Sequence, residues 1–218
     1  MMLRTNVSAA IAVTGLTLMS TANAAITITQ TVAAAPTYTT QLNFDAPGSP
    51  TGAPIPSTSF AAWGISNFGS GDNPNTVNVG QVNTNPGFGW LGTGNVAYSA
   101  WGLFINFSNQ LSSFSCQYWD DSGPGSPFGG GAAVVALKGG VEVGSLFLTA
   151  PAFSPTAKSW FNITTSGGDT FDEVRMVGNG FFPTAYADNL SWNVAVPAPS
   201  SLGLLALGGI VAGRRRRA

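Results

Sequence analysis

Short apolar runs, each ended by Gly, Pro, Asn, Ser or Asp, fill residues 25–192 of this 218-residue chain. No stretch of useful length has helical periodicity, and runs such as Ile26-Thr27-Ile28-Thr29 alternate strictly. Alternation with a period of two is typical of a half-buried strand. Frequent turn residues between such runs are typical of a sandwich or barrel. The predicted fold class is therefore all-β, with antiparallel strands near residues 26–29, 38–44, 76–82, 101–107, 111–119, 132–138, 141–148, 159–164, 171–177 and 186–194.

Two local patterns predict more specific features. Phe114, Cys116 and Tyr118 alternate onto one face, so Cys116 is interpreted as a small buried hydrophobic residue. Two glycines separate two strands at residues 138–141, and this predicts a hairpin turn because glycine adopts positive φ freely. Three Gly-rich or Pro-rich stretches are expected to form loops, which are either binding loops or plain crossovers. They are residues 46–59, 69–75 and 121–131.

The residue inventory excludes several classes of function. The chain has no histidine and one cysteine, which excludes Ser–His–Asp triads, imidazole zinc sites, internal disulfides and cysteine-rich metal sites. All nine acidic residues lie within residues 25–196, against three basic residues, so this part carries a net charge of −6. An acidic surface does not follow a phosphate backbone, so nucleic-acid binding is not expected.

Enzymatic activity is also not expected. Without histidine, the remaining chemistry is that of carboxylate pairs, Lys or Tyr bases, or a metal, and no nucleophile motif or phosphate loop is present. Two carboxylates of a glycosidase must stand at a defined separation. Neighbours in a strand point to opposite faces, so adjacency in the sequence does not make such a pair. In a chain with 8% charged residues, most acids are interpreted as solubilising or turn residues.

The N-terminus has the order of a secretory signal. Arg4 supplies a positive region, residues 7–19 are mainly apolar, and Ala22-Asn23-Ala24 forms an A-x-A cleavage site. Residues 1–24 are therefore predicted to be a signal peptide with a short helix, and Ala25 is predicted to be the first mature residue.

The C-terminus has three parts in a fixed order. Val196-Pro197-Ala198-Pro199 begins a stiff extended segment, because proline restricts its own φ and the preceding residue. Residues 202–212 (LGLLALGGIVA) are apolar and would form a helix of roughly 16 Å, against about 30 Å for a bilayer core. The arginine cluster that follows indicates the cytoplasmic side; it consists of Arg214, Arg215, Arg216 and Arg217.

This C-terminal order resembles the PEP-CTERM sorting signal, with Ala198 where the family usually has glutamate. The resemblance implies a protein exported by exopolysaccharide-producing Gram-negative bacteria and processed by an exosortase-type enzyme. Inner-membrane anchoring would be transient, and the mature protein would reach the cell surface or extracellular matrix. The implied organisation is a signal peptide (1–24), a β-sandwich domain (25–194) and a sorting tail (195–218). A plain tail anchor is the alternative, and a GPI signal fits less well because such tails end apolar.

Residues 101–192 resemble the jelly-roll sandwiches that often precede this tail, in which an early Phe-Asp and a late Asp-Asn-hydrophobic strand frame the domain. Phe44-Asp45 and Asp188-Asn189-Leu190 are the matching positions. In related carbohydrate-binding jelly rolls such acids hold structural calcium, so the resemblance implies Asp45 and Asp188 as candidate ligands, and hard oxygen donors suit that ion. The alternative is that both acids bond backbone amides as caps or turn residues.

Aromatic residues are the other candidate binding resource. Among six tryptophans, Trp63 and Trp90 are flanked by Gly and loop residues and are predicted to be exposed enough to contact a glycan. The alternative is that tryptophans fill the core. The function predicted first is thus a non-enzymatic exported protein, whose partners would be the processing enzyme and extracellular polysaccharide. A calcium-dependent carbohydrate-binding module is the second possibility, and a glycan-active enzyme is the third.

Overall fold

The computed structural model describes residues 25–31, 36–81, 94–120, 131–147, 159–178 and 184–196. The predicted signal peptide and its Ala22 and Ala24, Trp90, and the tail from Pro197 through Arg217 lie outside these residues. The described part forms twelve strands and one 3₁₀ helix. The strands are β1 (Ala25–Thr31), β2 (Thr40–Leu42), β3 (Gly52–Pro56), β4 (Ile65–Ser70), β5 (Thr76–Gln81), β6 (Asn95–Ala100), β7 (Leu103–Asp120), β8 (Ala132–Lys138), β9 (Val141–Phe147), β10 (Ser159–Ser166), β11 (Phe171–Gly178) and β12 (Thr184–Val194), and the 3₁₀ helix is η1 (Ser57–Trp63).

The all-β prediction is confirmed for the described residues, in which every strand pairing is antiparallel. The predicted hairpin turn is also confirmed, since Lys138 pairs with Val141 across Gly139 (φ 57°) and Gly140 (φ 80°). Two successive positive φ angles match the twist of the flanking strands, and this is the type I′ geometry that favours glycine.

The long strand β7 organises the other strands into two sets. Its first half pairs with β4 and β11, and β11 continues through β8 to β9. Its second half pairs with β10 and β12. On the other side, β10 pairs with β1, and β12 pairs with β6, which pairs with β5, which in turn pairs with β3. The short β2 also pairs with β12. Because β7 belongs to both sets, it fixes their relative position.

One hydrophobic cluster draws residues from both sets of strands. Phe68 and Val134 come from the first set, and Phe161 and Trp192 from the second, and all four are at most 1% exposed. Cys116 lies in the same cluster at 1% exposure, so its prediction as a buried hydrophobic residue is confirmed. Burial raises the pKa of its thiol far above the ordinary value, which keeps it protonated.

The prediction of two strands at residues 101–107 and 111–119 was wrong, because Leu103–Asp120 is one continuous strand. The polar residues between them suggested a break, yet their backbone groups have partners in the structure. The Ser108 amide donates to the Gly64 carbonyl (2.9 Å), and the Gln110 carbonyl accepts from the Ala195 amide (2.8 Å). Satisfied backbone groups allow a polar stretch to stay extended.

The sequence patterns also missed β3, β4 and β6. β3 lies inside the predicted loop 46–59 and contains two prolines, which a strand tolerates at a sheet edge. β4 includes the first two residues of the predicted loop 69–75. β6 is rich in small residues and is held between β5 and β12, so pairing on both sides, rather than its own pattern, makes it a strand.

Among the described residues, no helix has both the length and the apolar character needed to cross a membrane.

Candidate functional site

A β-bulge in β12 forms the centre of a polar network. The pairing of β12 with β7 shifts between Asp188 and Ser191, and Asn189 adopts a left-handed φ of 51°. Asparagine is one of the few residues that adopt this conformation readily. The Asp188 carboxylate accepts hydrogen bonds from the Asn189 amide (2.7 Å) and the Asn189 Nδ2 (3.0 Å). Asp188 is only 5% exposed. Its carboxylate therefore bonds, in a largely buried place, to the residue that forms the bulge.

The predicted residue Asp45 belongs to the same network, one strand away. Asn43 Nδ2 donates to Asn189 Oδ1 (3.1 Å), and Asn43 Oδ1 accepts from the Asp45 amide (2.8 Å). Asp45 Oδ1 then accepts from the Asn95 amide (2.6 Å), which ties the chain after β2 to the start of β6. The fold therefore brings Asp45 and Asp188 to one end of the sheet, where amides connect them.

These donors do not fit a calcium ion well as they are arranged. Calcium takes six to eight oxygen ligands, whereas both Asp188 oxygens and one Asp45 oxygen accept N–H bonds. No group of three or more His, Cys, Asp or Glu residues comes together anywhere in the described ranges. The hydrogen bonds instead match the alternative in which both acids cap backbone amides. Calcium binding by Asp45 and Asp188, which the resemblance implies, is therefore left to the thermal test described in the Discussion, and the capping alternative is the one that these hydrogen bonds favour.

A pocket of about 140 Å³ lies beside this network, on the face of the sheet that points away from the core. Phe161 and Ile163 of β10 point into the core, so Trp160 and Asn162 point to the opposite face. The same alternation places Ser115 of β7 and Ser191 of β12 on this face. The pocket is lined by Pro36, Thr37, Gln41, Leu42, Asn43, Ser115, Trp160, Asn189, Leu190 and Ser191.

The segment of residues 36–38 covers part of the same face and closes one side of the pocket. Ser115 Oγ donates to the Pro36 carbonyl (2.6 Å) and lies 2.7 Å from Ser191 Oγ. The Tyr38 amide donates to Ser191 Oγ (3.2 Å), and the Tyr38 hydroxyl donates to Asn162 Oδ1. Partial burial is the main cause that raises the pKa of Tyr38 above its ordinary value.

The tryptophans divide between core and surface differently from the prediction. Trp63, a predicted glycan contact, ends η1 and is partly buried against the core cluster. Trp119 and Trp192 are buried, whereas Trp101 is 54% exposed with a left-handed φ of 62°. Trp160 lines the pocket, and the sequence analysis did not single it out. Its position between Ser159 and Phe161 in an alternating strand was the signal that could have found it.

The other described acids mostly bond to nearby donors. Asp172 accepts from the Gly139 amide (3.0 Å), and Glu173 forms an ion pair with Arg175. Asp72, next to β4, accepts from Ser70 and Ser99, and the bond from Ser70 is the main cause that lowers its pKa. Asp120 accepts a hydrogen bond from the Tyr118 hydroxyl. These contacts agree with turn and structural roles.

Searches against protein-family models, curated proteins and solved structures found no match to this chain. No relative of known function therefore bears on the polar network or the pocket, and their binding properties are inferred from the residues that form them.

Proposed function

We propose that this chain is a non-enzymatic exported protein of an exopolysaccharide-producing Gram-negative bacterium, sorted to the cell surface or extracellular matrix through its C-terminal tail. The observation that carries the proposal is the sequence of the tail, in which a Pro-x-Pro segment, an apolar run and four arginines follow one another. An A-x-A site follows the apolar N-terminal run at the other end. An exosortase-type enzyme is the proposed partner, and anchoring in the inner membrane is proposed to be transient.

The limits of the described strands support this organisation. All twelve described strands lie within residues 25–194, and β12 ends at Val194, before the Pro-x-Pro segment. Removal of both ends would therefore leave all twelve described strands intact. We propose that residues 25–194 form a jelly-roll-like sandwich, supported by the two strand sets that share β7 and one core cluster.

The non-enzymatic part of the proposal is supported by the surroundings of the acids. Asp188, Asp172 and Glu173 each bond to a nearby amide or guanidinium group. The described residues that line the 140 Å³ pocket include no carboxylate that could act as an acid or nucleophile there. A calcium-dependent module is not the function proposed, because both Asp188 oxygens and one Asp45 oxygen already accept N–H bonds.

Intact mass spectrometry of the exported protein tests this function. We expect a species that begins at Ala25 and has lost the segment after about Pro199, because both ends are interpreted as processing signals. Replacement of all four terminal arginines by alanine should impair retention in the inner membrane before processing, since the positive cluster sets orientation. Replacement of Lys138 and Lys158 by alanine is the matched control, because it removes positive charge from the body instead.

Recovery of mature protein that still contains Arg217 would contradict sorting by cleavage and would support a plain tail anchor. Recovery of a species that keeps Met1 would contradict the signal peptide.

A further inference from the structure

We propose that the pocket beside β10 binds one neutral sugar ring, such as a terminal pyranose unit, without a metal ion. The inference concerns the folded domain and does not depend on how the tail is processed. It is carried by the size of the pocket, by the uncharged residues that line it, and by an aromatic wall on a face that points away from the core.

The size of the pocket fits one six-membered ring. Its volume is about 140 Å³, close to the roughly 150 Å³ of an engineered cavity that binds benzene. The residues that line it include the buried Leu42, Leu190 and Ser191 and the exposed Thr37 and Gln41. A ring can therefore reach the pocket from solvent, whereas an extended oligomer would have to leave its other units outside.

The lining selects for a neutral polyol. Among the described residues that line the pocket, none carries a charge, so an anionic or cationic ligand would find no counter-charge. The polar groups are amides and hydroxyls, which both donate and accept, as sugar hydroxyls do. Thr37 and Gln41 add exposed polar side chains to the lining. Asn43, Asn189, Ser115 and Ser191 also line the pocket, and their amides and hydroxyls already bond to neighbouring protein groups, so a sugar would use their remaining donor and acceptor positions.

Trp160 supplies the apolar wall. A pyranose has hydroxyls at its edge and C–H groups on its face, and an indole ring buries such a face while its neighbours bond the edge. The ring of Trp160 belongs to the outward face of β10, and the core does not need it, since Phe161 and Ile163 fill that role.

The pocket is held in shape before any ligand arrives. Residues 36–38 are fixed by bonds from Ser115 to the Pro36 carbonyl, from the Tyr38 amide to Ser191, and from the Tyr38 hydroxyl to Asn162. Asn43 and Asn189 are bonded to each other at 3.1 Å. Groups that are already ordered lose little conformational entropy when a ligand binds, which favours measurable affinity for a small ring.

The test is a ligand-observed NMR and calorimetric titration of the full chain with defined probes. The neutral probes are methyl α-glucoside, methyl α-mannoside, methyl β-galactoside and methyl N-acetyl-β-glucosaminide, and the charged probe is methyl glucuronide. At concentrations up to about 50 mM, a site with a Kd of about 1 mM would be nearly saturated. We expect at least one neutral glycoside to bind, the glucuronide to bind more weakly, and a calcium chelator to leave the affinity unchanged.

Variants locate the site. Trp160→Ala should weaken binding by about tenfold or more, because the aromatic wall is lost. Thr37→Trp should block the pocket from an exposed position without disturbing the core. Trp101→Ala is the matched control, since it removes an exposed tryptophan outside the pocket, and it should bind like the unmodified chain.

Three results would overturn the proposal. One is the absence of binding for every neutral probe. Another is affinity that survives in folded Thr37→Trp protein, with folding checked by circular dichroism. The third is equal binding of the glucuronide and the neutral glycosides.

Discussion

At the residue scale, Gly94 illustrates how one backbone position supports the polar network. Its φ is +91°, and a Cβ at this position would lie 2.0 Å from Asp45 Oδ2. Gly48 has a similar φ of +85°, but a Cβ added there would meet no atom within 4 Å. A comparison of alanine substitutions at the two glycines therefore separates two contributions to the loss of stability: the left-handed backbone, which both positions share, and the clash with Asp45, which only Gly94 has.

We expect Gly48→Ala to lower the free energy of unfolding by about 1 kcal/mol, the usual cost of a left-handed non-glycine residue. Gly94→Ala should cost about 1 kcal/mol more, because the methyl group displaces Asp45 and breaks its bond with the Asn95 amide. Urea unfolding measures both values. In the Asp45→Ala background the extra cost should disappear, and a persistent difference between the two glycines would contradict this explanation.

Asp188 gives the second prediction at this scale. Asp188→Ala should lower the free energy of unfolding by about 1–3 kcal/mol, because the Asn189 amide loses its acceptor in a largely buried bulge. The exposed Glu142→Ala should change it by no more than about 0.5 kcal/mol. Thermal midpoints of the unmodified chain should be equal in millimolar calcium and in chelator.

A calcium-dependent rise of the midpoint that Asp188→Ala abolishes would instead support the calcium interpretation. Such a rise would follow from binding of an ion to the folded state alone.

At the element scale, the β8–β9 hairpin is the clearest case in which the sequence specifies the structure. Gly139 and Gly140 both have positive φ, and the Gly139 amide also bonds to Asp172. Asparagine is common at the first position of such a turn, whereas β-branched residues resist positive φ. The turn therefore allows a sharp comparison at one position.

We expect Gly139→Asn to leave the thermal midpoint almost unchanged and Gly139→Val to destabilise the protein by about 1–2 kcal/mol. For a domain of this size, each kcal/mol corresponds to roughly 2–4 °C in the midpoint. Differential scanning calorimetry measures the change. Equal midpoints for the two variants would show that this turn is not what holds β8 and β9 in register.

Other elements could not be predicted because their cause lies elsewhere in the chain. β7 remains continuous through Ser108 and Gln110 since Gly64 and Ala195 bond to their backbone groups. β6 is a strand because β5 and β12 flank it. Likewise, the resemblance to jelly-roll domains implied that Asp45 and Asp188 share a site, whereas their amide partners Asn95 and Asn189 became evident only from the fold.

At the scale of the whole molecule, Trp160 shows why a site is harder to predict than a strand. The alternation of β10 follows from its own residues, but the pocket needs the segment at residues 36–38 and two further strands. Loop position favoured Trp63 as a surface residue, and contact with the core made it partly buried. Local sequence patterns thus predict which face of a strand a side chain occupies. The neighbours that it contacts on that face depend on how distant strands pair.

The pairing of β1 and β2 with distant strands has a consequence for the order of folding. Ala25 pairs with Ser166, and Leu42 pairs with Leu190, so neither early strand has its partner until most of the chain has been made. Non-local pairing of this kind slows folding. A nascent chain that cannot close its sheet stays unfolded, and an unfolded chain is the form that a protein-conducting channel in a membrane can thread. In the export that we propose, the topology that holds the finished domain together would therefore also keep the chain competent for translocation until β12 has been made.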